Sequence, residues 1–460
     1  MLKKNWDSLQ KQFDKTLFNK QYDKAEELIK RMQQVVEEYN RDTDQLNLLF
    51  NQAELSRQID ESTQAEKYLQ EAATEAKNKK QYSVMFQAFD KLDQLMNETN
   101  QNKKRHAYLE KATQLASKLH DIKRRNKILV KLANAYFTSG QFDQADSTYQ
   151  RILEIGEDDQ NDYMKMKGLA GLSRVYLQKG AVPKAKETID QAMRYAEKQQ
   201  DLDDQIRLQI NKAGIFAYEF DYAESMKQYK EILKQVRKHN FKREELVCTI
   251  NLGILSNYMG LYDDARYYLQ EVRDGLKEYH DKGLEISLLQ AEARYYINTG
   301  NMRSGLELLG KAGYYCMKHD YNLHAVDIYL DRAYLYCFLD RWKQAEVDVE
   351  TAFELGEKLN YYILEIRGRI ARACLRIVEG EVEEGSEIVN SILAKSYDSK
   401  FKIPLAPAAE LVGYTFHYIN KKEFAKAYYK RAKELYEEIH VPKSAKRCEY
   451  YLSTGTPSKT

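Results

Sequence analysis

The chain has 460 residues, with 72 basic and 70 acidic side chains and a net charge of +2, a balance that gives no reason to expect nucleic acid as the main ligand. Aromatic residues make up 12%, including 36 Tyr, which is too much packing material for a disordered chain. Only 5 Pro and 20 Gly interrupt it, so long helices are expected. No apolar run approaches a membrane span. The start, MLKKNWDSLQKQFDK, lacks the apolar core of a signal peptide, and the expected location is the cytoplasm. The 5 cysteines are odd in number and form no CxxC, as expected of free thiols in a reducing compartment.

Small residues recur every 40 positions from the N-terminus onward: Ala25, Ala65, then Arg105 as an exception, Ala145, Ala185, Ser225, Ala265, Gly305, Ala345, Gly385 and Ala425. Four residues later stands a bulky column (Ile29, Leu69, Leu109, Tyr149 and onward to Tyr429), and seven later an apolar one (Met32, Ala72, Ala112, Ile152 and onward to Ala432). Offsets of 0, 4 and 7 lie on one helix face. A second small column precedes it by 12, at Ala133, Ser173, Ala213, Gly253, Ala293, Ala333, Ala373 and Gly413. Between the columns sits a residue that tolerates a left-handed turn: Gly140, Gly180, Gly260, Gly300 and Gly380, with Asp340 and Asn420 substituting. Each unit therefore reads helix, tight turn, helix. One hairpin cannot bury its apolar face alone, so the units must stack.

The third unit departs from the columns, with Arg105 facing Asp93; either the register shifts near Ala107 or the array breaks there, and residues 1–125 are expected to pack less regularly than 126–440. Cys316, His319 and His324 come close in sequence, but two ligands one turn apart do not make a zinc site. The prolines of FKIPLAPAAE, at 401–410, favour an extended approach to the last hairpin. PKSAKRCEYYL, at 442–452, reads as a capping helix covering the last apolar face, within a terminal segment at 441–460. No HExxH, GxSxG, GxGxxG or Walker pattern occurs, so no catalytic residue, metal or cofactor is expected.

The NLG at 251–253, the turn with Gly260, Tyr262 and Ala265, and the recurrence of several columns in phase resemble the tetratricopeptide repeat family. The usual period there is about 34 residues. The period of 40 is similar to the arrays of Pins-type adaptors, Rap-type bacterial regulators and MalT-type sensor domains. The resemblance implies an all-α, right-handed solenoid of about 11 hairpins and a protein- or peptide-binding job. It also implies that residues 18, 14 and 11 before the small column line a concave groove. In units 4–6 these include Lys127, Lys131, Asn134, Lys167, Arg174, Arg207 and Asn211, with Gly171 and Gly214 leaving space; Asn251 and Arg294 follow, and the sign then changes at Asp327 and Asp331. Such donors suit an acidic peptide segment. The expected function is thus a non-enzymatic scaffold or adaptor. The alternative is a sensor that changes superhelical conformation on binding a peptide or small effector and acts on an output partner in trans. Self-association is left open.

Overall fold

A computed structural model describes residues 2–39, 42–99, 101–319, 321–356, 361, 363–395 and 402–457. It divides into two compact units, Met1–Ala135 and Tyr136–Thr460. Among the described residues all regular structure is helical, in the stacked hairpins of an α-solenoid.

The first unit holds α1 (Leu2–Phe18), α2 (Tyr22–Tyr39), α3 (Asp42–Gln58), α4 (Ser62–Asn78), α5 (Tyr82–Glu98), α6 (Asn102–Lys118) and most of α7 (Ile122–Thr138). The second unit continues with α8 (Phe142–Asp158), α9 (Asp162–Gln178), α10 (Val182–Gln199), α11 (Leu202–Tyr218), α12 (Tyr222–Lys238), α13 (Lys242–Tyr258) and α14 (Tyr262–Glu278). Then come α15 (Lys282–Asn298), α16 (Met302–Lys318), α17 (Asn322–Phe338), α18 (Trp342–Gly356), a π-helical turn (Leu364–Gly368) running into α19 (Arg369–Glu379), and α20 (Val382–Lys395). Helices α21 (Lys402–Tyr418), α22 (Lys422–Glu438) and the cap α23 (Pro442–Thr454) complete it. Odd-numbered helices through α21 open each hairpin, and even-numbered ones close it.

The columns show why. Ala25, Ala65, Ala145, Ala185, Ala265, Ala345 and Ala425 are all 0% exposed, as is Ser225. The small residue faces a backbone carbonyl of the opening helix 12 positions earlier. Ser225 Oγ donates to Ala213 O at 2.7 Å, and a Cβ added to Gly385 would lie 2.8 Å from Ala373 O. Larger side chains at that crossing would push the helices apart. The bulky and apolar columns fill the space on either side, from Tyr149 at 1% to Met32 at 0% exposed.

Turns repeat every 20 residues. A left-handed residue stands at Gly140, Gln160, Gly180, Gln200, Phe220, Asn240 and Gly260, so connections within and between hairpins use the same geometry. Phe220 reaches φ +66°, a region costly for a bulky side chain, while its ring packs against the core.

Two sequence expectations change on inspection of the helices. The segment before the last hairpin is not extended: α21 begins at Lys402 and carries Pro407 inside it. Pro404 lies in the first turn, where an N–H has no intrahelical partner to lose, and Leu405, Ala406, Ala408 and Ala409 are at most 2% exposed, so burial outweighs the cost at Pro407; Phe401 lies outside the described residues. Around Ala107 no register shift occurs, because α5 and α6 keep the 40-residue phase. Arg105 Nε instead donates to Asp93 Oδ1 at 2.8 Å across the crossing where other units place small residues.

Candidate binding surface on the opening helices

In the second unit the opening helices touch one another from hairpin to hairpin, α9 to α11, α11 to α13, α13 to α15 and α15 to α17. They form a continuous layer, and α17 also meets α21 across the intervening hairpin. Lys167, Arg174, Arg207, Asn211, Asn251 and Arg294 lie in this layer; Lys127, Lys131 and Asn134 lie in the first unit on α7.

Much of the expected positive charge is engaged. Lys167 Nζ meets Asp204 Oδ1 at 2.5 Å, and Arg207 Nε meets Glu244 Oε1 at 3.3 Å. In the first unit, Lys131 Nζ bonds Asp90 at 2.6 Å and Asp93 at 2.9 Å. Burial pulls the Lys131 pKa down, but these two bonds outweigh it and the net shift is upward. A cation on one opening helix thus meets a carboxylate on the neighbouring one, a ladder roughly parallel to the stack. Asn251 Nδ2 donates back to Val247 O at 2.8 Å. Lys127 is exposed, and Asn134 and Asn211 are half-buried. The two glycines read as leaving groove space are filled: the position of an added Cβ on Gly171 lies 2.1 Å from the Tyr149 ring, and Tyr229 Oη is 3.3 Å from that of Gly214.

The Arg174 guanidinium lies 3.9 Å from the centroid of Phe137; burial lowers its pKa, Tyr149 opposes this, and the charge of Arg243 adds a smaller lowering. Arg174 remains a cation at neutral pH, half-buried in the layer.

The sign change further along is a neutralised cluster. Asp331 accepts from Arg294 Nε at 2.9 Å, Gln290 Nε2 at 3.0 Å and Arg367 Nη2 at 2.8 Å. Burial raises the Asp331 pKa, but Arg294 and Arg367 reverse this and the net direction is downward. Asp327 receives Tyr361 Oη at 2.9 Å, and burial pushes its pKa up to about 6 despite the opposing field of Arg294. Arg367 sits in the π-helical turn and its Nε is buried without a hydrogen bond. Sequence reasoning missed Arg367 although it occupies the same column as Lys167, Arg207 and Asp327, 18 before Gly385. Asp204 and Glu244 were missed because they fall three residues outside that column.

No protein-family model matches the chain. No curated protein matches it either. Solved structures do. A Rap protein complexed with competence and sporulation factor aligns at TM-score 0.55 and 11% identity, over 78% of this chain and 98% of that one. The Rap conjugation gene regulator of the plasmid pLS20, in complex with the Phr* peptide, aligns at 0.53 and 15%, over 78% and 97%. Aspartyl phosphate phosphatase F from Bacillus subtilis aligns at 0.50 and 11%, over 75% and 93%. The fold is a tetratricopeptide-like repeat array.

The array carries no group of three or more His, Cys, Asp or Glu placed to hold a metal among its described residues. Cys316, the start of the sequence cluster with His319 and His324, is one of five free, buried cysteines. No described helix is long and apolar enough to cross a membrane.

Proposed function

We propose that the array is a non-enzymatic adaptor that holds a peptide segment of a partner protein against the opening-helix layer of its second unit. The observation that carries this reading is Arg174, a half-buried cation stacked on Phe137 within the opening-helix layer. An acidic side chain placed there gains a charge-assisted hydrogen bond from a planar, pre-oriented guanidinium. Arg207 and Asn211, one hairpin further on, extend the same surface; the Arg207 side chain is 56% exposed. Peptides bound by two of the structurally similar proteins agree with a peptide ligand, at the level of fold.

The test is fluorescence polarisation of the full chain with a panel of labelled decapeptides, acidic, neutral and basic. Acidic members should bind, and affinity should fall as salt rises. Arg174→Glu with Asn211→Glu should abolish that binding while leaving the melting temperature near wild type; Arg207→Glu is avoided because it would set a third carboxylate beside Asp203 and Glu244. Lys131→Glu is a poor probe, because it would set a third carboxylate beside Asp90 and Asp93. Wild-type affinity in the double variant would overturn the proposal.

A sensor reading is favoured by a separate observation. Within the second unit, residues far apart in sequence touch: Phe142 and Tyr361 rings at 6.4 Å, Phe338 and Tyr414 at 5.1 Å, and Lys443 Nζ over the Tyr262 ring at 5.4 Å. A ligand that changed the pitch would have to break these seams, which couples binding to conformation. Small-angle scattering with and without the bound decapeptide separates the two readings, since a rigid adaptor keeps its profile.

A further inference from the structure

The first unit contains a cavity of about 610 Å³ whose walls are the opening helices of its first three hairpins. Helix α1 contributes Trp6, Asp7, Gln10, Phe13, Asp14 and Leu17; α3 contributes Asp44, Asn47, Phe50, Asn51 and Glu54; α5 contributes Gln87 and Lys91. Its charge is opposite to that of the Arg174 surface, with four carboxylates against one ammonium. Two of the carboxylates are already used: Asp14 accepts from Gln10 at 2.9 Å, and Glu54 meets Arg57 at 2.6 Å. Gln10 and Asn51 bond each other through both amides, at 3.1 and 2.7 Å, and brace the wall between α1 and α3.

Asp44 is the unexplained group. It is 8% exposed, it lines the cavity, and it makes no hydrogen bond or ion pair among the described residues. Its carboxylate faces the cavity from the first turn of α3, where the helix N-terminus favours a negative charge, and water in the cavity can be displaced from it. A cation entering the cavity supplies the missing partner. Trp6, Phe13 and Phe50 are at most 8% exposed and give the cavity an apolar floor. At its rim, Asn47 and Gln87 are exposed and make no hydrogen bond among the described residues, and an amide can both give to and accept from a peptide backbone.

We infer that this cavity is a second binding site, for a peptide segment carrying basic side chains. Asp44 and Glu54 are ten residues apart on one helix, which is about 15 Å at a rise of ~1.5 Å per residue. An extended peptide advances ~3.3 Å per residue, so two basic side chains about four to five positions apart would address both carboxylates. One basic side chain pairs with Asp44 over the apolar floor, the second reaches the Glu54 end, where it competes with Arg57 for the carboxylate, and the intervening backbone meets Asn47 and Gln87. A free polyamine offers the same two charges but has no amide for the rim and no side chain for the floor, and this favours the peptide. The site is independent of the Arg174 surface.

The experiment uses the full chain and a labelled hexapeptide with lysines at positions 1 and 5 and a tyrosine between them. The measurements are polarisation at low salt, with melting temperatures for every variant. Asp44→Asn should weaken binding about tenfold or more with little change in melting temperature, because the isosteric amide keeps the shape of the wall and removes the charge. Lys91→Glu should tighten binding several-fold, and Asp23→Asn, on the exposed side of α2, should change nothing. Arg174→Glu with Asn211→Glu should leave this peptide bound, which separates this inference from the proposed function. The inference is overturned by wild-type affinity in Asp44→Asn, by no binding of the dibasic hexapeptide, or by spermine displacing it as well as unlabelled hexapeptide does. That last outcome would assign the cavity to a small polyamine.

Discussion

Asp327 shows how a single carboxylate can set the pH response of a buried layer. Its pKa is pushed up to about 6 by burial, above the ordinary aspartate value of about 3.9. Between those two values the folded chain holds a proton that the unfolded chain has released. The folded state binds more protons there, so this group makes stability fall as pH rises through that window. Above pH 6 the penalty is complete, on the order of 2–3 kcal/mol for a shift of about two units. Asp327→Asn can still accept from Tyr361 Oη and carries no charge. It should therefore raise the urea midpoint at pH 7.5 and leave it nearly unchanged at pH 4, with the difference growing between them. An equal effect at both pH values would show that Asp327 is not the titrating group. Asp331, four residues away, is not a substitute, because Arg294 and Arg367 hold it ionised.

At the scale of the helix pair, stability rests on the crossing between the small column and the carbonyl 12 residues earlier. Ala265 is 0% exposed at such a crossing, so Ala265→Leu should overpack it and cost ~1–3 kcal/mol, read as a lower urea midpoint. Hydrogen exchange should rise in 202–318, its own and adjacent hairpins, and stay unchanged in the first unit. At the third hairpin the crossing is built from charge. Asp93 is 2% exposed and holds both Arg105 and Lys131. Asp93→Ala leaves two cations facing each other and should cost ~3–5 kcal/mol, with faster exchange across 85–110 than across 250–275. Asp93→Ala combined with Arg105→Ala restores the small-residue crossing of the other hairpins and should recover much of that loss. The hairpins themselves were legible because sterics repeat: Ala145, Ala185 and Ala345 occupy the same joint at the same offset. The ion pairs were not, since Lys167 with Asp204 and Arg294 with Asp331 join residues 37 apart and depend on how far one opening helix slides past the next. The extended segment read from Pro404 and Pro407 failed for a related reason: local preference was outweighed by burial along α21.

At the scale of the whole molecule, a repeat array is expected to be a sum of nearest-neighbour terms, and the second unit departs from that rule at its C-terminal end. Helix α23 caps the last hairpin through Glu410, which is 4% exposed and accepts from Arg447 Nε at 2.5 Å, Arg447 Nη2 at 2.7 Å and Tyr436 Oη at 2.7 Å. The same cap helix reaches the turn of a hairpin some 180 positions earlier in the chain: Lys443 Cγ lies 2.8 Å from where a Cβ on Gly260 would stand, and its ammonium lies over Tyr262. Gly260 has φ +74°, so both its backbone and its missing side chain suit that approach. Arg447→Ala would leave Glu410 buried without its cation and should cost ~3–5 kcal/mol. If the seam is energetic, hydrogen exchange should rise at 402–454 and at 255–266 together, with the hairpins between them less affected. A purely nearest-neighbour array would instead lose protection progressively from the C-terminal end, and 255–266 would respond last. Arg447→Met combined with Glu410→Leu removes both charges from the buried joint and should recover most of the stability and the protection at both places. Failure of the double variant to restore protection at 255–266 while 402–454 recovers would show that the Lys443 contact carries no coupling between the two ends of the unit.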